Sequence, residues 1–227
     1  DDADRNNRIT GKVPFLEAAG FTTGVLAREL SLNEIRRTSE ATTVPLEVFV
    51  HGALCVSYSG QCYLSAALSG RSANRGECAQ YCRLPYTMVD ATGTEIVSNK
   101  HLLSLKDMNR SDQLEALLDA GVSSLKIEGR LKDAGYVKNI TAYYRKKLDA
   151  VLSRRPEYRR ASAGRSTYTF EPVAEKSFNR GFTTFLLEGR TADITAFNTP
   201  KSLGEPVRDG QRDQRQFFYC GRLEAIE

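Results

Sequence analysis

Residues 120–130 read AGVSSLKIEGR. Gly121 ends an amphipathic stretch that predicts a helix, and the apolar run from Ser123 to Ile127 predicts a buried strand. An earlier stretch has the same order of features: residues 19–23 read AGFTT and lead from a helical pattern into an apolar run. A repeated helix, glycine stop and strand indicate that an αβ unit is used more than once.

Two further apolar runs fit the same scheme. Residues 45–50, PLEVFV, predict a strand that ends at His51, and residues 102–105 predict another. Ser31 followed by Glu34 is a capping-box signal for a helix. Helices are therefore expected before, between and after the strands, at residues 12–19, 31–40, 112–120 and 133–152.

Four strand–helix steps in series predict an α/β fold with a parallel sheet. A closed eight-stranded barrel of this kind needs about 250 residues. We therefore expect residues 1–155 to form the second half of a (β/α)8 TIM-type barrel. Beyond them we expect the truncated start of a small β-rich domain, residues 156–227, with strands at 168–173, 182–187 and 203–207.

The composition indicates a globular protein rather than a membrane protein or a disulfide scaffold. The chain has 227 residues, of which 41% are hydrophobic and 26% charged. No apolar run approaches the roughly 20 residues of a membrane span, and the polar, acidic start DDADR is unlike a secretory signal. Five cysteines are too few for a disulfide scaffold. We therefore expect reduced thiols, a cytoplasmic location and no membrane partner.

Four of the five cysteines fall in one irregular, glycine-rich segment, residues 51–85, which is too long for an ordinary connection. Their spacing is Cys55-x6-Cys62-x15-Cys78-x3-Cys82. Thiolates bind soft metals and iron–sulfur clusters, and this spacing favours a cluster over structural zinc, whose ligands usually come in two short pairs. Zinc, or unligated or redox-active thiols, are the alternatives. Cys220 is expected to be an ordinary free thiol. The residues that follow the segment, 86–97, predict a β-hairpin around the turn DATG.

Polar side chains follow three of the predicted strands: His51 the first, Lys106 and Asp107 the second, Glu128 and Arg130 the third. Active sites of parallel barrels are built at this end of the strands. We therefore expect His51, Glu128 and Arg130 to transfer protons or to contact substrate. For each of them taken alone, a purely structural hydrogen bond is the alternative.

Basic residues are concentrated from residue 130 onward. Residues 130–165 hold eleven lysines and arginines against three acidic residues, whereas the net charge of the whole chain is only +4. This excess predicts a polyanionic partner such as nucleic acid, contacted by Lys146, Lys147, Arg154 and Arg155. A solvated helix face is the alternative. Three arginines among the cysteines could also grip phosphates or offset the charge of a cluster: Arg71, Arg75 and Arg83.

Four short motifs are distinctive: HGALCVSYSGQC at residues 51–62, NRGEC at 74–78, LKIEGR at 125–130 and FNRGF at 178–182. Together they resemble the bacterial collagenase-like peptidase family, the U-thirty-two peptidases, from about Arg8 to Val207. The family name implies a peptidase. The sequence, however, has neither a G-x-S-x-G elbow nor an H-E-x-x-H motif.

The resemblance implies a different chemistry for members with this cysteine pattern. Such members look like enzymes that hydroxylate RNA pyrimidines or serve quinone biosynthesis, with a 4Fe–4S cluster on the four cysteines. The segments at 178–183 and 199–204 are most similar to the branch that hydroxylates a cytidine of large-subunit ribosomal RNA, and a sister branch modifies the wobble uridine of transfer RNA. The resemblance also suggests prephenate as an accessory metabolite.

Three functions are compatible with these observations: an iron–sulfur-dependent RNA hydroxylase, a collagenase-like peptidase, and a non-catalytic cluster- or RNA-binding fragment. Family members carry further barrel strands before the equivalent of Arg8, and their usual proline is replaced in NRITGK, residues 7–12. We therefore expect the missing N-terminal half-barrel to come from the rest of the protein or from another subunit.

Overall fold

The computed structural model describes residues 7–160 and 163–199. The helices in this part of the chain are α1 Lys12–Ala18, α2 Leu32–Glu40, α3 Leu64–Ser69, α4 Leu114–Asp119 and α5 Ala134–Leu152. The strands are β1 Gly24–Val25, β2 Leu46–Ala53, β3 Tyr86–Val89, β4 Glu95–Lys100, β5 Asp107–Asn109, β6 Val122–Ile127 and β7 Phe182–Thr183. Short 3-10 turns occur at Ala73–Arg75, Tyr81–Arg83, Ser111–Gln113 and Ala174–Lys176.

Two helices begin where their capping residues predict. The Ser31 hydroxyl accepts a hydrogen bond from the Glu34 amide at 3.4 Å, and the Glu34 carboxylate accepts one from the Ser31 amide at 2.8 Å, which completes the capping box of α2. Asp133 accepts a hydrogen bond from the Tyr136 amide at 2.7 Å and caps α5. Both predicted helices are confirmed.

The main sheet is mixed, and β2 lies at its centre. β2 is parallel to β1 on one side and to β6 on the other. At its C-terminal end β2 pairs antiparallel with the short β5, which in turn pairs parallel with β7. Strands β2 and β6 form where the apolar runs predict them. The parallel elements confirm an α/β fold, whereas its assignment to one half of a TIM-type barrel stays a prediction.

The strand predicted at residues 102–105 is wrong. The strand of this region is β5, which lies later and is antiparallel rather than parallel to β2. The backbone before β5 pairs elsewhere, because the Ser104 carbonyl accepts a hydrogen bond from the Ala196 amide at 2.8 Å and Leu105 bridges Thr195. A segment distant in the sequence therefore takes the hydrogen bonds that a sheet neighbour would have satisfied.

The strand predicted at residues 168–173 is also wrong. Val173 exchanges two hydrogen bonds with the Asn139 side chain instead, at 2.6 and 3.0 Å, and this contact ties the segment to α5. Of the predicted run 182–187, only the two residues of β7 are extended, and they pair with the main sheet. Residues 203–207 lie outside the described residues. The division into domains at residue 155 stays a prediction.

A two-stranded hairpin, β3 and β4, forms a sheet of its own. Its turn depends on Asp90, whose carboxylate accepts hydrogen bonds from the Thr92 and Thr94 amides at 2.8 and 2.9 Å. An aspartate that binds the backbone two and four residues later is a strong local turn signal. The hairpin predicted at residues 86–97 is confirmed.

The hydrophobic core lies on both faces of β2. Val48 and Val50 face a large cluster that includes Ile35 of α2, Leu117 of α4 and Ile140 of α5. Phe49 points the other way and packs in a second cluster with Leu54, Leu105, Met108 and Phe185. Alternation of side chains along the strand explains why one continuous apolar run serves both clusters. None of the helices in the described part of the chain combines the length and apolar character that a bilayer span requires.

Candidate active site

A cleft of about 1420 Å³ opens beside the C-terminal ends of β2 and β6. Other parts of its wall come from Arg28, from the start of α5, and from residues 169–171 and 176–180. All four cysteines of the 51–85 segment line it: Cys55, Cys62, Cys78 and Cys82. Since β2 and β6 are parallel neighbours, their carboxyl ends meet at one edge, and residues that follow them share one cavity.

Gly52 allows β2 to approach the end of β6 closely. Its φ is +109°, and a Cβ atom placed on it would lie 2.7 Å from the Glu128 Cβ and 2.8 Å from the Glu128 carbonyl oxygen. The Glu128 amide donates a hydrogen bond to the His51 carbonyl at 2.8 Å. Glycine is the residue that tolerates both this backbone conformation and this lack of space. The His51-Gly52 pair therefore places Glu128 at the cleft.

Side chains hold the cysteine-bearing segment to the fold. Glu29 accepts hydrogen bonds from the Ser59 amide and hydroxyl, the latter at 2.9 Å, and Asn74 accepts one from the Cys62 amide at 3.1 Å. Arg83, for which the sequence predicts a nucleic-acid contact, donates three hydrogen bonds within the protein. They run at 2.5–2.9 Å to the carbonyl oxygens of Leu54 and Leu105 and to the Ser104 hydroxyl.

The four thiols are half-buried, and none of them is in a disulfide. Cys55, Cys62, Cys78 and Cys82 are called the cysteine quartet below. Burial is the main factor that raises the pKa of the Cys55 and Cys82 thiols, and the charges of other thiolates of the quartet raise it further. The sulfur atoms therefore lie within electrostatic reach of one another. Within residues 7–160 and 163–199, no three His, Cys, Asp or Glu side chains converge closely enough to hold a metal ion. Four thiols around one cavity have the donor chemistry of an iron–sulfur site. Ligation of a cluster stays a prediction.

His51 is buried behind the cleft. It is only 2% exposed, its Nδ1 lies 3.3 Å from the Tyr144 hydroxyl, and its ring packs against Tyr136, Tyr144 and Phe182. Burial lowers its pKa to about 3, and the charge of Lys132 is a smaller cause. This position favours a neutral, structural histidine, and a catalytic role for His51 stays an unsupported prediction.

Glu128 and Arg130 both line the cleft. The Glu128 carboxylate lies 3.4 Å from the Arg28 guanidinium and accepts a hydrogen bond from the Arg130 amide at 2.8 Å. Arg28 in turn lies over the Phe49 ring, 3.9 Å from its centroid. The position of Glu128 and Arg130 after β6 is the one that the sequence predicts, and their part in catalysis stays a prediction.

Sequence reasoning missed two cationic side chains on the same wall, Lys132 and Arg180. Arg180 Nη1 lies 3.3 Å from Oδ1 of the buried Asp107, and the Arg180 amide donates to Oδ2 at 2.9 Å. Burial raises the pKa of Asp107 and lowers that of Lys132 to about 8. A signal for Arg180 was present, because it is the arginine of the FNRGF motif, but its neighbours lie in distant segments.

The basic stretch of α5 is neutralised by acids from outside it. The four residues predicted there to contact nucleic acid all form ion pairs: Lys146 with Glu171, Lys147 with Asp112, Arg154 with Glu115, and Arg155 with Glu115, Asp119 and Glu157. Most of these acids are remote in sequence, so a local count could not include them. The expected excess of positive charge is therefore largely offset on this surface. Contact with nucleic acid by these four residues stays a prediction.

The cleft, by contrast, is strongly basic. Eight basic residues line it against three acidic ones, whereas the whole chain has 32 basic and 28 acidic residues. Arg75 belongs to this lining together with Arg130 and Lys138, while Arg71 is exposed outside it. A cavity lined by one sign of charge concentrates ligands of the opposite sign. The basic stretch 130–165 contributes Arg130, Lys132 and Lys138 to this positive cavity.

Comparison with known proteins gives several relatives. The chain is 54% identical over 200 residues to the 23S rRNA 5-hydroxycytidine C2501 synthase of Escherichia coli (strain K12). This match covers 88% of this chain and 31% of that protein. It is 38% identical over 144 residues to tRNA hydroxylation protein P1 of Bacillus subtilis (strain 168), covering 61% of this chain and 34% of that protein. It is 37% identical over 171 residues to a collagenase of Porphyromonas gingivalis (strain ATCC BAA-308 / W83), covering 70% of this chain and 40% of that protein. No solved structure matches the chain.

The chain thus spans between 31% and 40% of the length of these three relatives. The family model described as Peptidase family U32 matches residues 3–196, which is most of the chain. The resemblance inferred from the four motifs is confirmed. The chain belongs to Peptidase family U32.

Proposed function

We propose that this chain carries the active-site cleft of an enzyme that hydroxylates a pyrimidine base of RNA, with a cytidine of large-subunit ribosomal RNA as the first candidate and the wobble uridine of transfer RNA as the second. The observation that carries the proposal is the 54% identity over 200 residues to a protein named for 23S rRNA 5-hydroxycytidine synthesis. The cleft supports it, because an electropositive cavity suits an RNA substrate.

The cofactor belongs to the proposal as well. Cys55, Cys62, Cys78 and Cys82 would hold a 4Fe–4S cluster, which supplies one-electron transfer when it is bound. The thiols of Cys55 and Cys82 would release their protons to solvent and bind as thiolates, since coordination overcomes the raised pKa that burial causes. Zinc bound by the same thiols is the alternative.

The remaining residues of the cleft would bind and orient the base. Arg28 holds the Glu128 carboxylate in place at 3.4 Å, so Glu128 could accept a hydrogen bond from an exocyclic amine of the substrate. The exposed Arg130 guanidinium could contact a phosphate. His51 would act indirectly, because it is enclosed by aromatic rings and supports the end of β2. Prephenate is retained as a proposed accessory ligand.

The larger architecture is proposed on the same basis. Strands β1, β2 and β6 would belong to the second half of a TIM-type barrel, and the N-terminal half would come from the rest of the protein or from another subunit. The length of the relatives supports this, because the chain covers no more than 40% of any of the three described above. Modification of ribosomal or transfer RNA would place the protein in the cytoplasm.

A peptidase is the second candidate, and the name of the Porphyromonas gingivalis relative favours it. A serine- or zinc-dependent peptidase needs a histidine beside its nucleophile or metal. Within the described residues, His51 is buried against tyrosines and Nδ1 of His101 lies 3.0 Å from the Arg83 carbonyl oxygen. Neither arrangement supplies such a site. Cleavage of gelatin that a single substitution in the cleft abolishes would favour this candidate, and a non-catalytic RNA- or cluster-binding fragment would show neither activity.

The decisive experiment combines genetics with mass spectrometry. Deleting the gene in its source organism should remove a hydroxylated pyrimidine from ribosomal or transfer RNA digests, and the parent gene should restore it. Each of the four variants Cys55→Ser, Cys62→Ser, Cys78→Ser and Cys82→Ser should fail to restore it, whereas Cys220→Ser, the matched control, should succeed. Unchanged hydroxylated bases after deletion would refute RNA hydroxylation.

The cofactor needs its own measurement. Protein purified without oxygen should contain about four iron and four sulfide per chain and show a broad visible absorbance, and each quartet variant should lose most of it. The Cys220→Ser variant should keep it. Stoichiometric zinc and no sulfide would replace the cluster by a structural zinc site.

A further inference from the structure

Lys132 projects a cation onto the apolar wall of the cleft. Its Nζ lies 3.3 Å from the centroid of the Phe178 ring and 5.0 Å from that of Tyr136. Within residues 7–160 and 163–199 it forms no ion pair, whereas Lys146 and Lys147 of α5 both do. A partly buried ammonium that lacks a carboxylate partner can bind an anion from the cavity without first breaking an ion pair.

Arg180 is the second cation of this wall, and it is more deeply buried, at 7% exposure. Its guanidinium lies 4.7 Å from the centroid of the same Phe178 ring. Asp107 accepts from Nη1 at 3.3 Å, but the buried Nε has no hydrogen-bond partner within the described residues. An unsatisfied buried donor costs stability unless a ligand or water satisfies it. Arg180 nevertheless lines the cleft, so its guanidinium places a positive charge at the cavity wall.

The charges around these two side chains leave a net positive balance. Asp107 pairs with Arg180 and also acts electrostatically on Lys132, so two cations share one negative charge. Arg83 adds a further positive charge that acts on both of them. Glu128 is already paired with Arg28. Two donors of different geometry, a mobile ammonium and a planar guanidinium, are the usual components of an oxyanion site.

We infer that Lys132 and Arg180 form an oxyanion subsite that binds a backbone phosphate of the RNA strand beside the nucleotide in the cleft. The inference rests on the proposed function and identifies which part of the substrate this wall holds. RNA is favoured over a small free anion because the cavity is large and its other cations, among them Arg75 and Lys138, extend beyond this pair. Successive phosphates of a strand would match such a row.

The subsite should be sensitive to pH through Lys132. The pKa of Lys132 is lowered to about 8, mainly by burial; Asp107 and Glu128 oppose this shift, while Arg180 and Arg83 contribute to it. A bound phosphate favours the charged ammonium and so raises this pKa. Affinity for RNA should therefore be full below about pH 8 and decline as the pH rises above it, and substitution of Lys132 should remove this decline.

The test compares Lys132→Met with Lys100→Met, the same change at an exposed lysine of β4 outside the cleft. Binding of a short, cytidine-containing single-stranded RNA is measured by fluorescence anisotropy over a range of salt concentrations, under conditions without turnover. Lys132→Met should weaken binding roughly tenfold and reduce the salt slope by about one, whereas Lys100→Met should change the affinity by less than about twofold and leave the slope as it is. Equal affinity of Lys132→Met and the parent would overturn the inference.

A phosphate scan identifies the contact without any change to the protein. A series of 2′-O-methyl oligonucleotides carries one uncharged methylphosphonate at successive positions. One position should weaken binding to the parent protein but not further weaken binding to Lys132→Met, as residues that share one interaction are non-additive. Losses that are the same for both proteins at every position would overturn the inference. The inference would also be overturned if binding of inorganic phosphate depended on Lys132 while the affinity for RNA did not, because the subsite would then bind a small anion.

The outcomes separate this inference from the proposed function. If gene deletion leaves all hydroxylated bases unchanged but Lys132→Met still loses RNA affinity selectively, the subsite stands and hydroxylation fails. If deletion removes a hydroxylated base but Lys132→Met binds RNA as tightly as the parent, hydroxylation stands and the subsite fails. Thermal unfolding of both lysine variants by circular dichroism confirms that the comparison is made on folded protein.

Discussion

Replacing Gly52 by alanine should destabilise the fold more than the same replacement at Gly189, although the two residues have similar φ angles. Gly52 has φ of +109° and Gly189 has φ of +114°. Both substitutions therefore carry the cost of placing an L-residue at positive φ, about 1–2 kcal/mol. The two sites differ in what the new methyl group would meet.

A Cβ atom at Gly189 meets no atom within 4 Å, whereas one at Gly52 lies 2.7 Å from the Glu128 Cβ and 2.8 Å from its carbonyl oxygen. Ordinary contacts begin near 3.4 Å, so β2 and the end of β6 must separate by several tenths of an ångström. Both obstructing atoms belong to or lie next to backbone and cannot rotate away. Overpacking of this kind costs about 1–3 kcal/mol. We therefore expect a total near 2–5 kcal/mol for Gly52→Ala against about 1–2 kcal/mol for Gly189→Ala.

The assay is urea unfolding followed by far-ultraviolet circular dichroism, because the chain has no tryptophan to report by fluorescence. The midpoint of Gly52→Ala should lie well below that of Gly189→Ala, with the slope of unfolding free energy against urea unchanged. Equal midpoints would show that the end of β2 does not press against Glu128 as described. The explanation of the His51-Gly52 pair would then be wrong.

Three further outcomes follow from buried groups. Because burial lowers the pKa of His51 to about 3, its contribution to stability should be complete above its ordinary pKa near 6.5 and should be lost as the pH falls below that value, by up to about 1.4 kcal/mol per pH unit. His51→Gln should flatten the dependence of the urea midpoint on pH in this range. An unchanged slope would contradict burial of a neutral ring. Tyr144→Phe should lower the free energy of unfolding by about 1–3 kcal/mol, since the Tyr144 hydroxyl donates to the Val50 carbonyl at 2.7 Å and accepts from the Arg110 amide at 3.2 Å. The hydroxyl of Tyr143 is only partly buried, so Tyr143→Phe should lower it less in the same urea titration. Arg110→Lys should lower the thermal midpoint strongly despite the retained charge. The buried guanidinium donates hydrogen bonds to the carbonyl oxygens of Phe49, Arg28 and Thr184, and a lysine cannot reach all three. A midpoint equal to that of the parent would show that this arginine does not join those segments.

Several features follow from the sequence alone because their causes are local. Ser31 and Glu34 satisfy each other's backbone amides within one turn, and Asp90 binds amides two and four residues away, so both elements form wherever the rest of the chain lies. The run of β2 is almost continuously apolar because this strand is buried on both faces. The motifs that indicate the family also follow from the sequence, and they include the cysteines that line the cleft.

Only the tertiary structure decided which distant groups meet. β5 is three residues long and mostly polar, so nothing in its own sequence states that it pairs antiparallel with β2. The basic residues at the end of α5 and just after it look unopposed until the turn Ser111–Gln113 and helix α4 place Asp112 and Glu115 beside them. His51 looks catalytic until three aromatic rings enclose it. The meeting of Lys132 with Arg180 depends on the same kind of contact. A pattern along the chain reflects the residues next to each other in sequence, so it can indicate which face of a helix or strand is buried. The local charge balance, the pKa of a side chain and its access to a cleft depend instead on side chains that are distant in sequence and close in the fold.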